Sequence, residues 1–215
     1  MQTKILLIRH GETAWNAVRR LQGHADIELN DEGLRQADAL GAALAGAPLA
    51  AIVASDLVRA HQTAQALAVH HELPVHTDAQ LRERCYGGFE GLLYTDIEHR
   101  YPFEYAQWKA RDVDALMPPG ERTAESFRQF YHRSVGGIVK WAERHPGQTI
   151  AVVAHGGVLE CAYRAARGSA LDNSPRDFEI KNASINRLLY AGGKLSLTEW
   201  GDVRHLDDAA LDEIL

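Results

Sequence analysis

Apolar positions along the chain follow two alternating rhythms. Ile5-Leu6-Leu7-Ile8 is an unbroken aliphatic run that stops at Arg9-His10-Gly11, as expected of a short strand covered on both faces. After the cap-capable pair Asn30-Asp31, Leu34, Ala37 and Leu44 recur at near-helical spacing until Gly46 and Pro48 end the pattern. A second apolar strand, 49–54, runs into Ser55-Asp56, which caps a helix carrying Leu57, Ala60, Ala64 and Leu67 on one face. Residues 74–77 read as an edge-like strand. Thr123 is placed to cap a long helix whose stripe is Phe127, Phe130, Tyr131, Val135, Ile138 and Trp141. The run from Ile150 to Ala154 is another buried strand, ending at His155-Gly156-Gly157 before a helix with Leu159, Ala162 and Ala166. Residues 184–190 and 194–200, split by Gly192-Gly193, read as a closing hairpin.

Strands that alternate with helices predict an α/β fold, a three-layer α/β/α sandwich around a mostly parallel central sheet, in one domain over 1–215. The stretch at about 86–119 breaks the rhythm. Rich in Gly, Tyr and Trp with weak periodicity, it reads as a helical insertion or lid over the edge of the sheet that carries the chemistry.

Composition narrows the classes. With 215 residues, 46% of them hydrophobic and 24% charged, the chain can bury a core without staples, which excludes global disorder. The formal charge of −6 excludes a nucleic-acid binder acting through bulk charge, so an anionic partner must meet a local basic pocket. Cys85 and Cys161 are far apart and do not form a disulfide framework, which suits a reducing cytoplasm. No export signal and no membrane span is expected, and a homo-oligomer is compatible with the sequence.

In layered α/β sheets ligands bind beyond the carboxyl ends of the strands. Three strands here end in polar punctuation of one kind: Arg9-His10-Gly11, Ser55 leading to Arg59, and His155-Gly156-Gly157. If the three are parallel, two His and two Arg converge on one edge. Guanidinium forks match phosphate oxygens, and helix starts after Ser55 and His155 add unpaired amides. An imidazole among guanidinium charges loses its proton more easily, leaving a ring nitrogen able to attack phosphorus. Taken singly, each Arg or His at a strand end reads as a surface or capping residue; only their convergence points to catalysis.

Leu7-Ile8-Arg9-His10-Gly11-Glu12-Thr13 with Trp15-Asn16, the Leu21-Gln22-Gly23 loop, Ser55-Asp56-Leu57 through Arg59 and Thr63-Ala64, and Ala154-His155-Gly156-Gly157 resemble the histidine phosphatase superfamily, in its phosphoglycerate mutase-like branch. The resemblance implies that His10 is phosphorylated during turnover, with Arg9, Arg59 and His155 as a charge-neutralising cage and Asn16 touching the phosphoryl oxygens. It further implies that Gln22, Gly23, Gly156 and Tyr86 help to bind substrate. Glu83 stands where members carry an acid. Arg82 and Arg84 beside it oppose that role, since cations favour an ionised carboxylate. No metal and no cofactor is called for.

Mutases of this family carry Glu-x-x-Tyr-Gly, a Lys eleven residues beyond the Glu, and paired Arg after a later Trp. Here Glu83, Tyr86 and Gly87 match, but the Lys position holds Tyr94, and Lys109-Ala110-Arg111 follows Trp108. The incomplete grip favours a phosphatase of small phosphorylated metabolites, with a phosphoglycerate mutase as the alternative and a catalytically silent phosphometabolite-binding module as another. Cys161 and Arg167 have cysteine-phosphatase spacing, but the residues between them are helix formers rather than a phosphate cradle. His70-His71-Glu72 lacks the spacing of a zinc helix. The aromatic group Trp15, Tyr86, Phe89, Tyr94, Tyr101, Phe103, Tyr105 and Trp108 suits a substrate mouth or the insertion's own core equally well. Residues 207–215 are acidic and read as a loosely docked end.

Overall fold

A computed structural model describes residues 1–169, 171–172, 174–206 and 212. In chain order the elements are β1 (Thr3–Arg9), α1 (Ala14–Ala17), α2 (Asp31–Leu44), β2 (Leu49–Ala54), α3 (Val58–Ala68), β3 (Val75–Thr77), α4 (Tyr94–Arg100), α5 (Pro102–Lys109), α6 (Phe127–Glu143), β4 (Thr149–Ala154), α7 (Gly156–Arg167), β5 (Ile185–Ala191) and β6 (Lys194–Asp202). The strands form one six-stranded sheet ordered β3-β2-β4-β1-β5-β6. β3, β2, β4 and β1 are mutually parallel, and the hairpin β5–β6 adds two antiparallel strands beside β1.

Alternation along each strand divides the core into two faces. Ile5, Leu7, Val53, Ile150 and Val152 pack with Phe130 and Ile138 of α6 and with Leu159 and Ala162 of α7. Leu6, Ile8, Ile52, Ala54 and Val153 pack on the other side with Leu40 and Leu44 of α2 and with Ala60, Ala64 and Leu67 of α3. The expected three-layer α/β/α sandwich is present. Its buried strands read as continuous apolar runs because both faces are covered by helices.

Three local readings are corrected. α6 begins at Phe127, not after Thr123, because Ser126 supplies the cap: its Oγ accepts the Gln129 N–H at 3.2 Å, and Gln129 Oε1 accepts the Ser126 N–H at 2.9 Å. α3 begins at Val58 without a side-chain cap from its own entry turn; Asp26, from a distant loop, accepts the Val58 N–H at 2.7 Å. Leu34 lies on the exposed side of α2, whose buried stripe is Ala37, Leu40, Gly41 and Leu44.

The 86–119 insertion has a satellite core of its own. Tyr86, Phe89, Ile97, Ala115 and Met117 are buried, with Tyr94, Tyr101, Tyr105 and Trp108 packed against them. Of the aromatic group, Phe103 alone among the insertion's members is largely exposed. α4 and α5 are short and lie on a mixed surface, which explains their weak sequence period.

Candidate active site

Sheet register assembles the site. β1 pairs with β4 so that Arg9 faces Ala154, and the next residues, His10 and His155, leave the two strands side by side. Their ring centroids are 5.1 Å apart with planes tilted by 60°. β2 lies on the far side of β4 with Ala54 facing Val153, and Arg59 enters from the first turn of α3. The parallel order thus converts four positions distant in sequence into one cluster.

Arg9, His10, Asn16, Gln22, Gly23, Arg59, Glu83, Tyr86 and Tyr94 line a hollow of about 40 Å³. Both guanidiniums are almost fully buried. Arg9 Nη1 donates to the Ile180 carbonyl at 2.7 Å. Arg59 donates through Nη1 to the Ala25 carbonyl and through Nη2 to the Gly23 carbonyl, both at 2.8 Å, so it shapes the loop that walls the hollow. Gly23 holds φ at +52°, a left-handed conformation that favours glycine. Asn16 Oδ1 accepts the Thr13 N–H at 3.1 Å and the Thr13 hydroxyl at 3.0 Å, leaving its amide NH2 for a ligand. His155 stands behind this wall, fully buried, and neither of its ring nitrogens meets a partner among the described residues. Gly156 is also buried, in the first turn of α7, and is not part of the wall.

The tautomer of His10 follows from its neighbour. Nδ1 is 2.7 Å from the Gly11 carbonyl oxygen, which can only accept, so Nδ1 carries the proton and Nε2 keeps its lone pair. Burial first, then the charges of Arg59 and Arg9, hold the His10 pKa well below 6.5, against the raising effect of the Gly11 carbonyl. His155 is lowered well below 6.5 by burial first and then by Arg59 and His10. Both rings are neutral at neutral pH.

Glu83 reaches the same hollow from the chain just before the insertion. Its Oε1 accepts the Arg84 N–H at 2.7 Å and its Oε2 accepts the Gly157 N–H at 2.9 Å. Its carbonyl receives Arg133 Nη2 at 3.0 Å and lies 2.7 Å from His24 Nε2. The neighbouring cations do not crowd the carboxylate as the sequence suggested. Arg82 turns outward into a two-bond pair with Asp56, both bonds 2.7 Å, and Arg84 turns its guanidinium to the carbonyls of Glu125 and Ala115.

Several neighbours lie outside the candidate site residues, and most of them carried no sequence signal. Asn182 Nδ2 and the Ala183 N–H donate to the His10 carbonyl at 3.0 and 3.3 Å, and Thr63 Oγ1 accepts the Gly11 N–H at 3.1 Å. Arg19 and Arg20 stand at the mouth. Asp212 also lines it, taking the Ile180 N–H at 2.6 Å and Arg176 Nη2 at 3.1 Å; the other residues of the acidic end, 207–211 and 213–215, lie outside the described residues. Motif context placed Thr63, whereas nothing in an acidic tail marks Asp212.

A larger cavity of about 280 Å³ adjoins the hollow, with Tyr86 lining both. Its wall includes Arg84, Trp108, Lys109, Arg111, Phe130, Gly157 and Glu160. The competing motifs fall elsewhere. Cys161 is fully buried on α7 with its thiol pushed well above the usual value by burial, and His70, His71 and Glu72 lie past the end of α3. Among the described residues no His, Cys, Asp and Glu gather as a metal site, and no helix is long and apolar enough to cross a membrane.

The profile described as Histidine phosphatase superfamily (branch 1) matches residues 5–203. A phosphoglycerate mutase-like protein 4 of Arabidopsis thaliana is 39% identical over 209 residues, covering 95% of this chain and 87% of that protein. A metal-independent phosphoserine phosphatase of the same plant is 35% identical over 207 residues, covering 95% and 83%. The solved structure of Bacillus stearothermophilus YhfR superposes with a TM-score of 0.84 at 32% identity, covering 94% of this chain and 98% of that one.

Proposed function

From the premise that this chain belongs to the histidine phosphatase superfamily, branch 1, we propose that it is a phosphomonoesterase of small phosphorylated metabolites that works through phosphorylated His10. The observation that carries this reading is the His10 ring, its Nδ1 proton held by Gly11 and its Nε2 lone pair free, in a hollow walled by Arg9 and Arg59.

Phosphoryl transfer spreads negative charge over the equatorial oxygens, so fixed cations and N–H donors supply most of the stabilisation. Arg9, Arg59 and the Asn16 amide hold the phosphoryl group, with Gln22, Gly23 and Tyr86 shaping the wall. His10 Nε2 forms the N–P bond while the P–O ester bond breaks. Glu83 gives its proton to the departing alkoxide; the incoming dianion beside this carboxyl favours the protonated form before transfer. Water then attacks phosphorus, Glu83 takes a proton from it, the N–P bond breaks, and phosphate leaves with His10 again neutral. In this reading His155, neutral and with no ring partner among the described residues, backs His10 as part of the cage, and Gly156 offers an amide at the start of α7. The buried free cysteines suit a cytoplasmic enzyme.

Phosphoglycerate mutation is the second reading, favoured by the name of one relative and by Lys109 and Arg111 beside the larger cavity. Hydrolysis is preferred because Tyr94 in the hollow's wall brings no charge where a carboxylate substrate needs one. Incubation with phosphoglycerates, alone and with a bisphosphoglycerate primer, tests the choice. Phosphate release is expected; efficient isomerisation with negligible release would overturn it.

A further inference from the structure

Residues 83–86, which carry the proposed acid, belong to no helix or strand, so side chains hold what a backbone ladder holds elsewhere. The amides of Arg84, Cys85 and Tyr86 donate in turn to the carboxylates of Glu83, Glu125 and Glu90, at 2.7, 3.0 and 3.0 Å. The Glu83 carbonyl is held by side chains as well. Arg133 of α6, fastened to Glu125 by two bonds of 2.7 Å, gives it Nη2 at 3.0 Å and gives Nη1 to the carbonyls of Gln80 and Arg82 at 2.9 and 3.0 Å. The second partner is His24, whose Nε2 is 2.7 Å from the same oxygen. A carbonyl can only accept, so this Nε2 carries a proton and donates.

His24 comes from another wall of the hollow. It lies between Gly23 and Ala25, whose carbonyls take the Arg59 guanidinium, both at 2.8 Å. Its own N–H donates to Glu90 Oε1 at 3.0 Å, the oxygen that also accepts the Tyr86 N–H. His24 is thus tied to the acid's segment by main chain and by ring, whereas its two neighbours are tied to the cation that meets phosphate. Arg133 grips several carbonyls and so serves the fold of the whole segment; the His24 ring bond goes to Glu83. We propose that His24 is a positioning residue: its ring N–H fixes the Glu83 backbone against the Arg59 loop, so that the carboxyl group stands at the bridging oxygen of an ester whose phosphoryl group Arg59 holds. His24 does not line the hollow, and it acts without touching substrate. This inference rests on the phosphatase reading above, in which Glu83 gives the proton.

Met and Gln both match the reach of the His24 ring to Nε2, and only Gln carries a donor there. The comparison uses kcat/KM on para-nitrophenyl phosphate and on the fastest of three alkyl esters, O-phosphoserine, 3-phosphoglycerate and glucose 6-phosphate. His24→Met is expected to slow the alkyl ester about tenfold, less than the roughly hundredfold of a 1 Å misplacement because Arg133 still holds the carbonyl. The nitrophenyl ester, whose leaving group needs no proton, is expected to slow by less than about threefold. His24→Gln, which restores a donor, is expected to recover the alkyl rate to within about threefold of the unaltered protein. Added to Glu83→Gln, His24→Met is expected to cost less than about twofold more, because its effect passes through a carboxyl already lost. Inhibition by inorganic phosphate, which needs Arg59 but no acid, is expected to hold within about twofold. The ratio of two esters within one protein cancels any loss of folded fraction, and should His24→Met not fold, His24→Asn, whose amide falls short of the carbonyl, takes its place. Equal losses on both kinds of ester, no loss on the alkyl ester, a full further loss in the Glu83→Gln background, or weakened phosphate inhibition would overturn the proposal and leave the phosphatase standing. Inertness of the unaltered protein toward all three alkyl esters would instead defeat the phosphatase reading and this inference with it.

Discussion

The Gly157 N–H donates to Glu83 Oε2 at 2.9 Å, joining the proposed acid to the helix that follows His155. The approach is so close that a Cβ on Gly157 would stand 2.3 Å from Glu83 Oε1 and 2.8 Å from the Phe130 ring. Gly157→Ala must therefore displace the carboxyl group. Steady-state kinetics should show kcat/KM on alkyl phosphates reduced about a hundredfold, the cost of misplacing a reacting group by about 1 Å. An unchanged rate would show that Glu83 has no positional role.

Glu83→Gln tests the proton itself. An alkoxide needs a proton to leave and nitrophenolate does not, so alkyl esters should slow by about 10²–10⁴, whereas para-nitrophenyl phosphate should slow by less than about tenfold. Equal losses on both would assign Glu83 to holding the structure rather than to proton transfer.

The lowered pKa values of His10 and His155 give pH dependences of definite sign. Because His10 keeps its lone pair below pH 6.5, the acid limb of the kcat/KM profile should fall below that value, where an ordinary imidazole would already have been protonated. The same two groups link folding to protons. Between their lowered values and 6.5 the unfolded chain binds more protons than the native one, so their contribution to stability is full above 6.5 and is lost as pH falls. Thermal unfolding followed from pH 7 to 5 should show a falling midpoint, and His155→Asn should flatten the slope.

Arg59 both faces the hollow and ties down Gly23 and Ala25. Lys cannot reproduce this fork. Arg59→Lys should lower kcat/KM on every phosphate ester by about 10² or more, with phosphate inhibition weakened in parallel. A loss restricted to one ester would place Arg59 at the alcohol half instead.

Much of this site is legible in the sequence because it is carried by strand ends. A continuous apolar run followed by Arg-His-Gly or His-Gly-Gly can be read locally, and parallel pairing brings such ends together whatever lies between them. What depends on long-range packing is not legible. Asp26 capping α3 and Ser126 displacing Thr123 at the start of α6 are choices among equivalent polar residues that only the loops' paths decide. Arg82 and Arg84 flank Glu83 alike in the sequence, yet one pairs with Asp56 at the surface and the other turns into a cavity. Glu160, on a helix of ordinary appearance, gives no hint that it is buried against Arg111 from the insertion.

The central claim is that the phosphoryl group passes through the His10 ring. Acid-free quenching within milliseconds of mixing with a ³²P-labelled ester, followed by peptide mapping, tests it most directly. The account predicts an acid-labile, base-stable label on the peptide containing His10, chased by water and absent from His10→Ala; turnover without such a label, or a label on another residue, would contradict it.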